Sequence, residues 1–418
     1  MQFLTYRKGG TNELISLDQV LQRYYTPDLF KKIINGTLPK SNVDISSALK
    51  KNLPELKLEL GSQNSGKIDL NIEACDKGGG LQNIAVYQNG NLIHEENYTA
   101  LTQTGACKTG TVTLNLADGQ NAFKVSAYNS ANIKAESPTR AVTYVSPESL
   151  KPQLHILMVA IDDYVSVRSK LKFAVKDAIG LKESLQKYGK GAFGKVNFYE
   201  VYNAAGVKPG IVNAFKNVKN NAKLNDTVIV FFSGHGMSVD GKFYFISQNI
   251  TDAREIEAKS LSDFNQKYQA WEKFAKQASI SSDEISQAIT QIKAKNKMLI
   301  VDSCYSGGGW LSKVNEAKVE EKMEDQKSDM VKKSNLTGIA MISAAQAFQK
   351  ANENGEIGHG FLTFSLLEAM KIEKDRGKIT AFSVIPQAAK KVRDLSIQYQ
   401  KKQIPFQSTS GVDFELSD

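Results

Sequence analysis

The sequence predicts an α/β fold, a mainly parallel sheet flanked by helices, preceded by an all-β immunoglobulin-like sandwich. Between residues 53 and 146, short runs alternate apolar and polar side chains and are separated by Gly- and Asn-rich turns, which is typical of antiparallel strands. From residue 153, continuous apolar runs alternate with helical patterns, which is typical of parallel strands covered on both faces. The expected divisions are a short helical segment (1–50), the sandwich (53–146) and the α/β domain (153–418).

Composition excludes several classes of protein. Of the 418 residues, 41% are hydrophobic, which is enough for a sizeable core, and no apolar run is long enough to span a bilayer. The net charge is +9, but the lysines are scattered and no basic stripe contains interleaved aromatic residues. We therefore expect a solvated basic surface and neither a nucleic-acid nor a membrane partner.

The N-terminal part reads as helical pieces followed by strands. Leu14, Leu17, Leu21 and Tyr24 mark one face of a helix. No signal-peptide pattern is present at residues 1–7, so the chain is expected to be cytoplasmic or a fragment of a longer protein. The sandwich is the expected binding module for a protein partner.

The α/β part alternates strands and helices, with two polar insertions at 251–281 and 311–336. The second insertion is rich in Lys and Glu and is expected to be a loop. Strands are predicted over 155–161, 196–202, 227–232, 297–301 and 339–343, and helices over 171–188, 210–222, 282–294 and 361–370.

The chain has three cysteines, Cys75, Cys107 and Cys304. An odd, low count argues against a disulfide framework. A bridge between Cys75 and Cys107 is possible, since both lie in the predicted sandwich, but the sequence does not indicate one.

Two strand ends carry the residue types of a nucleophilic site. The motif 233–236 places His235 just past one buried strand, and the motif 302–308 places Cys304 just past another. A thiolate can attack a carbonyl, and an imidazole can protonate the leaving amine. The backbone N–H groups of Gly236 and Cys304 could stabilise the oxyanion. Taken singly, His235 reads as a structural residue and Cys304 as a small buried one; taken together, they favour catalysis.

These two motifs resemble the paired signatures of caspase-like and metacaspase-like cysteine peptidases. The resemblance extends from residue 154 to the C-terminus, and 358–364 and 403–406 are similar to stretches of bacterial members. The upstream segment and sandwich are similar to bacterial proteins with WD repeats before a caspase-like module, so the chain is expected to be part of a longer protein. The resemblance implies a Cys304–His235 dyad that hydrolyses peptide bonds.

The resemblance also implies a specificity pocket. Metacaspase-like members carry aspartates that match Asp302 and Asp177 here, and Ser233 is expected to line the same pocket. Two carboxylates favour cleavage after Arg or Lys. Caspases use arginines to hold an acidic residue, and Arg168 is the one candidate near the first strand of the α/β domain. The alternatives are a solvent-facing Asp177 and an Asp302 that caps the end of its strand.

Other expectations concern cofactors, processing and inactivity. Members that need calcium carry acid clusters after both motifs, whereas 237–248 contains only Asp240 and 307–314 contains no acid, so no cofactor is expected. A Lys/Arg-directed enzyme could cut its own 311–336 loop. His359 is expected to be a loop residue, and His155 has no partner in view. The alternative function is an inactive caspase-like scaffold that binds proteins.

Overall fold

The computed structural model describes residues 5–7, 14–16, 51–93, 101–147, 151–166, 170–239, 242–251, 256–257, 259–303, 337–344, 351–409 and 411–418. The chain forms two compact units, Met1–Pro147 and Glu148–Asp418. The described part of the first unit has one hydrophobic core, and the second unit has a core on each face of its main sheet.

Two antiparallel sheets form the main part of the first unit. Alternate side chains such as Leu58, Leu70 and Phe123 are buried between them, so the predicted all-β sandwich is confirmed. The strands are β1 (Thr5–Arg7), β2 (Leu14–Ser16), β3 (Glu55–Asn64), β4 (Lys67–Cys75), β5 (Gln82–Gln88), β6 (Asn91–Leu92), β7 (Thr102–Thr104), β8 (Cys107–Asn115), β9 (Gly119–Tyr128), β10 (Lys134–Glu136) and β11 (Arg140–Tyr144). The sheets have the orders β3-β4-β8-β7 and β10-β9-β5-β6, and β11 also pairs with β9.

A disulfide joins Cys75, the last residue of β4, to Cys107, the first residue of β8. The sequence left this bridge possible but did not indicate it. The antiparallel register of β4 and β8 places the two cysteines directly opposite each other, which a count cannot reveal. Cys304 is consequently the one cysteine outside the bridge.

The predicted N-terminal helix is wrong at its start. Residues Leu14–Ser16 form β2, which pairs antiparallel with β1. Leu17, Leu21 and Tyr24 lie outside the described residues.

A six-stranded sheet forms the centre of the second unit, in the order β13-β12-β14-β18-β19-β22. All neighbouring pairs are parallel except β19 with β22, so the predicted mainly parallel α/β fold is confirmed. Its strands are β12 (Gln153–Ala160), β13 (Lys195–Tyr202), β14 (Thr227–Gly234), β18 (Asn296–Ser303), β19 (Ala340–Ser343) and β22 (Phe406–Thr409). The shorter strands are β15 (Gly236–Val239), β16 (Lys242–Phe245), β17 (Ile280–Ser281), β20 (Glu353–Asn354) and β21 (His359–Gly360).

Helices cover both faces of this sheet. They are α1 (Ala174–Tyr188), α2 (Lys208–Asn221), α3 (Leu261–Ala278), α4 (Ser282–Thr290), α5 (Phe361–Asp375) and α6 (Ala381–Gln398). Apolar residues of α2, α3 and α4 pack on one face, and those of α1, α5 and α6 pack on the other. None of the helices in the described part of the chain is both long and apolar enough to cross a membrane.

The polar insertion at 251–281 contains a helix that the sequence pattern did not indicate. It contains α3, which buries Trp271 and Ala275 in the core, and the Trp271 indole N–H donates to the Thr251 carbonyl at 2.7 Å. Charged residues on its exposed face conceal this apolar stripe in the sequence. The insertion at 311–336 lies outside the described residues.

Candidate active site

The carboxyl ends of the central strands place the predicted site residues together. Gly234 of β14 pairs with Ser303 of β18. Residue 235 comes directly after Gly234, and residue 304 comes directly after Ser303. Ser233 pairs with Asp302 in the preceding row, and both are buried. Cys304 itself, like Arg168, lies outside the described residues.

Tyr164 contacts both the backbone and the ring of His235. The backbone N–H of His235 donates to the Tyr164 hydroxyl at 2.7 Å, and the centroids of the two rings lie 4.8 Å apart. Gly234, with φ +153°, makes this approach possible, because a methyl group on it would lie 2.7 Å from the Tyr164 hydroxyl. Sequence reasoning missed Tyr164, since an aromatic residue in a loop carries no distinctive signal.

The Gly236 N–H is directed away from the strand beside it. The Ile246 N–H donates to the His235 carbonyl at 2.9 Å, so residues 235 and 246 are a pair that the antiparallel ladder joins by a hydrogen bond, although the backbone N–H of His235 donates to Tyr164. Because such pairs alternate, Gly236 and Phe245 form a non-hydrogen-bonded pair. The Gly236 N–H is therefore available to an acceptor outside this ladder.

Asp177 lies in the first turn of α1 and its side chain is 2% exposed. Oδ1 lies 2.7 Å from His359 Nδ1, and the Gly360 N–H lies 3.2 Å from both carboxyl oxygens. Burial and the neighbouring Asp302 raise the pKa of the Asp177 carboxyl well above its usual range. Asp177 is thus not the solvent-facing residue of the alternative interpretation.

Asp302, near the end of β18, is buried against the start of α5. Its Oδ2 accepts hydrogen bonds from the Thr363 N–H at 3.0 Å and the Thr363 hydroxyl at 2.6 Å. Asp302 therefore caps the start of α5, whereas the alternative interpretation had it cap the end of its own strand. Burial raises the pKa of Asp302 despite these two bonds. The predicted pocket role and the capping role are compatible, because a carboxylate can accept several bonds.

Asp177 and Asp302 each place a carboxyl oxygen beside Gly360. A methyl group on Gly360 would lie 2.8 Å from Asp302 Oδ2 and 3.0 Å from Asp177 Oδ2. Both oxygens therefore lie beside the Gly360 backbone, and only a residue without a side chain fits between them.

Glu353 is a third carboxyl group of this cluster that the sequence analysis missed. It lies on β20 opposite Gly360 and accepts hydrogen bonds from the backbone of Lys172 and Phe173. Burial and the charge of Asp302 raise the pKa of Glu353 to about 7. The sequence gives little sign of Glu353, because Glu353 comes close to the aspartates only through the pairing of β20 with β21. These short strands follow a segment without periodicity.

The acidic cluster, defined as Asp177, Asp302 and Glu353, brings three carboxyl groups together, and each has a raised pKa. In the described part of the chain, no lysine or arginine forms an ion pair with any of the three. Buried carboxylates are normally paired. The cluster is therefore suited to an incoming cation.

His155 has partners after all, although it lies at the other end of the sheet. Its Nε2 is 3.1 Å from Asp226 and its Nδ1 is 3.0 Å from the Tyr199 hydroxyl. These partners are distant in sequence and meet only through the pairing of β12 with β13 and β14. The contact holds a buried imidazole in the core and lies apart from the strand ends that carry His235.

Comparison with known proteins places the second unit in a family. The family model described as the caspase domain matches residues 154–416. No curated protein matches the chain. Among solved structures, protein GSU0716 from Geobacter sulfurreducens is 14% identical, with a TM-score of 0.39 over 62% of this chain and 94% of that one. A family 28 exopolygalacturonase from Yersinia enterocolitica is 12% identical, with a TM-score of 0.18 over 45% of this chain and 28% of that one.

Proposed function

The chain belongs to the caspase-domain family of peptidases, and from that premise we propose that it is a cysteine endopeptidase that cleaves after Arg or Lys. Cys304 is the nucleophile and His235 is the general acid and base. The observation that carries this proposal is the pairing of Gly234 with Ser303, because the two reactive residues come directly after that pair on adjacent strands.

Hydrolysis proceeds in two halves. The Cys304 thiolate attacks the scissile carbonyl, and the N–H groups of Gly236 and Cys304 stabilise the resulting oxyanion. The C–N bond then breaks as His235 gives a proton to the leaving amine, which leaves a thioester. Water, deprotonated by His235, then attacks the thioester. The C–S bond breaks, the peptide leaves with a new terminal carboxyl group, and the Cys304 thiolate and protonated His235 are restored.

The acidic cluster sets the preference for a basic P1 residue, the one just before the scissile bond. Asp177 and Asp302 present oxygens beside Gly360, Glu353 adds a third carboxyl group, and Ser233 lies next to Asp302. An entering guanidinium or ammonium group supplies the charge that the cluster lacks. An acidic P1 side chain would add a fourth carboxylate and be repelled.

The proposal is tested by assaying the purified full chain against fluorogenic peptides that end in Arg, Lys or Asp, with calcium or with a chelator. We expect cleavage after Arg and Lys in both conditions and none by Cys304→Ala or His235→Ala. Asp177→Asn and Asp302→Asn should each lower kcat/KM for Arg peptides by about 30-fold or more, because each removes one partner of a buried ion pair. The matched control is Asp394→Asn, an exposed position on α6.

Two outcomes would change the assignment. Cleavage only after Asp would keep the peptidase and remove the specificity role of the acidic cluster. Absence of Cys304-dependent cleavage would favour the alternative, a caspase-like scaffold that binds proteins.

We also propose self-cleavage within residues 311–336, where Lys residues are frequent. The preference for basic P1 residues would make this segment a substrate of the enzyme itself. Intact-mass analysis should show fragments that break in this range for the wild-type chain and not for Cys304→Ala. An active enzyme that remains a single uncut chain would refute the idea.

The first unit bears on location and partners. Disulfides persist in oxidising compartments, so the Cys75–Cys107 bridge favours such a compartment over the cytoplasm that the N-terminal sequence suggested. We propose that the sandwich of two antiparallel sheets is an immunoglobulin-like domain that binds a protein partner. Cross-linking of the full chain and of a chain that begins at residue 148 would show whether a partner depends on the sandwich.

A further inference from the structure

We propose that His359 is a positioning residue of the specificity site, which turns the Asp177 carboxyl group toward the P1 cation and favours its ionised form. This inference rests on the proposed function, because it assigns a role within the pocket that Asp177 and Asp302 form there. His359 would not touch the substrate, and it would act only through Asp177.

The contact is short and specific. His359 Nδ1 lies 2.7 Å from Asp177 Oδ1, and among the described residues His359 is the one side chain that hydrogen-bonds to this carboxyl group. The other donor is the Gly360 N–H, 3.2 Å from each oxygen. Gly180 leaves room for the ring, since a methyl group there would lie 3.1 Å from His359 Cε1.

The geometry fixes the orientation of the carboxylate. His359 and Gly360 are consecutive residues of β21, and together they hold Oδ1 of Asp177 from two directions. Oδ2 is then the atom that lies beside Gly360, next to Asp302 Oδ2. Without the ring, rotation of the Asp177 side chain would misplace the oxygen that the P1 cation needs.

The bond also favours the ionised form of Asp177. Burial and Asp302 both raise the pKa of this carboxyl group, so it tends to keep its proton. A donor directed at the carboxylate opposes that tendency, because it stabilises the charged form. The neutral ring donates when its proton is on Nδ1, which is the tautomer that Asp177 selects.

A histidine suits this position better than a lysine or an arginine. Asp177 of α1 contacts the His359 ring and Lys176 of α1 lies near enough to affect its charge, while Glu353 of β20 and Asp302 of β18 lie beside the neighbouring Gly360. Burial and the nearby Lys176 charge lower the pKa of His359, so the ring is neutral near neutral pH. It therefore donates a hydrogen bond without a positive charge that would compete with the P1 cation. In acid, the imidazolium would become such a competitor.

The test compares wild type, His359→Ala and His359→Asn over a range of pH. The amide nitrogen of asparagine can take the place of Nδ1, so this variant keeps a donor that does not titrate. The readouts are kcat and KM for an Arg peptide, and the inhibition constants of two peptide aldehydes that end in arginine or in its uncharged isostere citrulline. Thermal unfolding of each variant shows whether the fold is retained.

We expect His359→Ala to raise KM and the inhibition constant of the arginine aldehyde by about tenfold at neutral pH, as expected for one lost charge-assisted bond. Its KM-against-pH curve should move to higher pH, because Asp177 then ionises later. His359→Asn should restore most of the affinity and remove only the part of the acid loss that the imidazolium causes, while the part that follows protonation of Asp177 remains. The citrulline aldehyde should respond little to either substitution.

The failures are distinguishable. If wild type shows no Cys304-dependent cleavage after Arg, the proposed function fails and the inference falls with it. If wild type cleaves but the folded His359→Ala protein keeps the wild-type pH dependence of KM, the inference alone is wrong. Equal losses for the arginine and citrulline aldehydes would also contradict it, because a merely structural role would weaken both.

Discussion

Asp177 and Asp302 bind the same short segment of backbone from two different elements. Asp177, on α1, accepts the Gly360 N–H, and Asp302, on β18, accepts the Thr363 N–H. The start of α5 therefore holds two carboxyl groups whose ionisation is opposed by burial and, for Asp177, by the charge of its neighbour. The arrangement costs stability in the empty protein, and it becomes favourable when a cation enters.

Gly360→Ala tests the space between the two carboxyl groups. The backbone of Gly360 has φ −64° and ψ 149°, which any residue adopts, so the substitution brings no backbone strain. The added methyl group would lie within 3.0 Å of both Oδ2 atoms and must displace them. We expect kcat/KM for Arg peptides to fall by at least about tenfold, and the melting temperature to fall as well, because the displaced Asp302 carboxyl group caps α5. Activity equal to that of wild type would show that the oxygens beside Gly360 do not contact P1.

The pH dependence of stability should reveal the strained carboxyl groups. A raised carboxyl pKa means that the folded state holds protons more tightly than the unfolded state, so stability is lost as pH rises from the ordinary range through the raised values. The double variant Asp177→Asn/Asp302→Asn should therefore be more stable than wild type at pH 8, by about 1–3 kcal/mol, with the difference vanishing near pH 4.

Tryptophan fluorescence during urea unfolding measures this effect in the second unit alone, because both tryptophans, Trp271 and Trp310, lie there. The double variant should lose cleavage of Arg peptides while it gains stability. A double variant that is less stable than wild type at pH 8 would contradict an excess of buried charge.

The sequence predicts the parts of this site that depend on strand order, and it misses those that depend on loops. Buried runs followed by Gly-rich motifs indicate that residues 235 and 304 meet, because parallel strands align their carboxyl ends. The contact between His359 and Asp177 spans 182 residues and no period connects them. Tyr164 and Glu353 are likewise brought in by segments without regular patterns. The Cys75–Cys107 bridge depends on a register that composition does not encode.

Tyr164→Phe should impair catalysis through His235. The substitution removes the hydroxyl that accepts a hydrogen bond from the backbone N–H of His235. A buried N–H without an acceptor lowers the free energy of unfolding by about 1–3 kcal/mol. We expect a lower melting temperature and a lower kcat, with KM for Arg peptides nearly unchanged, because the acidic cluster is intact. Tyr188→Phe, at the last residue of α1, is the matched control. A loss that appears in KM and not in kcat would place Tyr164 in the binding of substrate instead.

Reduction of the Cys75–Cys107 bridge should affect the first unit alone. The bridge spans 32 residues, and a loop of that length stabilises a fold by about 3–4 kcal/mol through the unfolded state. Cys75→Ser/Cys107→Ser should therefore lower the calorimetric unfolding temperature of the sandwich. The tryptophan-detected transition of the second unit should stay at its wild-type position. If the calorimetric trace of the double variant matches that of wild type, the bridge does not form.

The most direct measurement of the central claim is covalent labelling with peptide chloromethyl ketones that end in Arg or Asp, followed by mass spectrometry. With Cys75 and Cys107 joined, Cys304 is the one remaining thiol of the chain, so the site of labelling is unambiguous. The account predicts one label per chain, on Cys304, much faster with the Arg reagent than with the Asp reagent, and slowed by His235→Ala and by Asp302→Asn. Equal rates with both reagents, or a Cys304 that stays unlabelled, would contradict it.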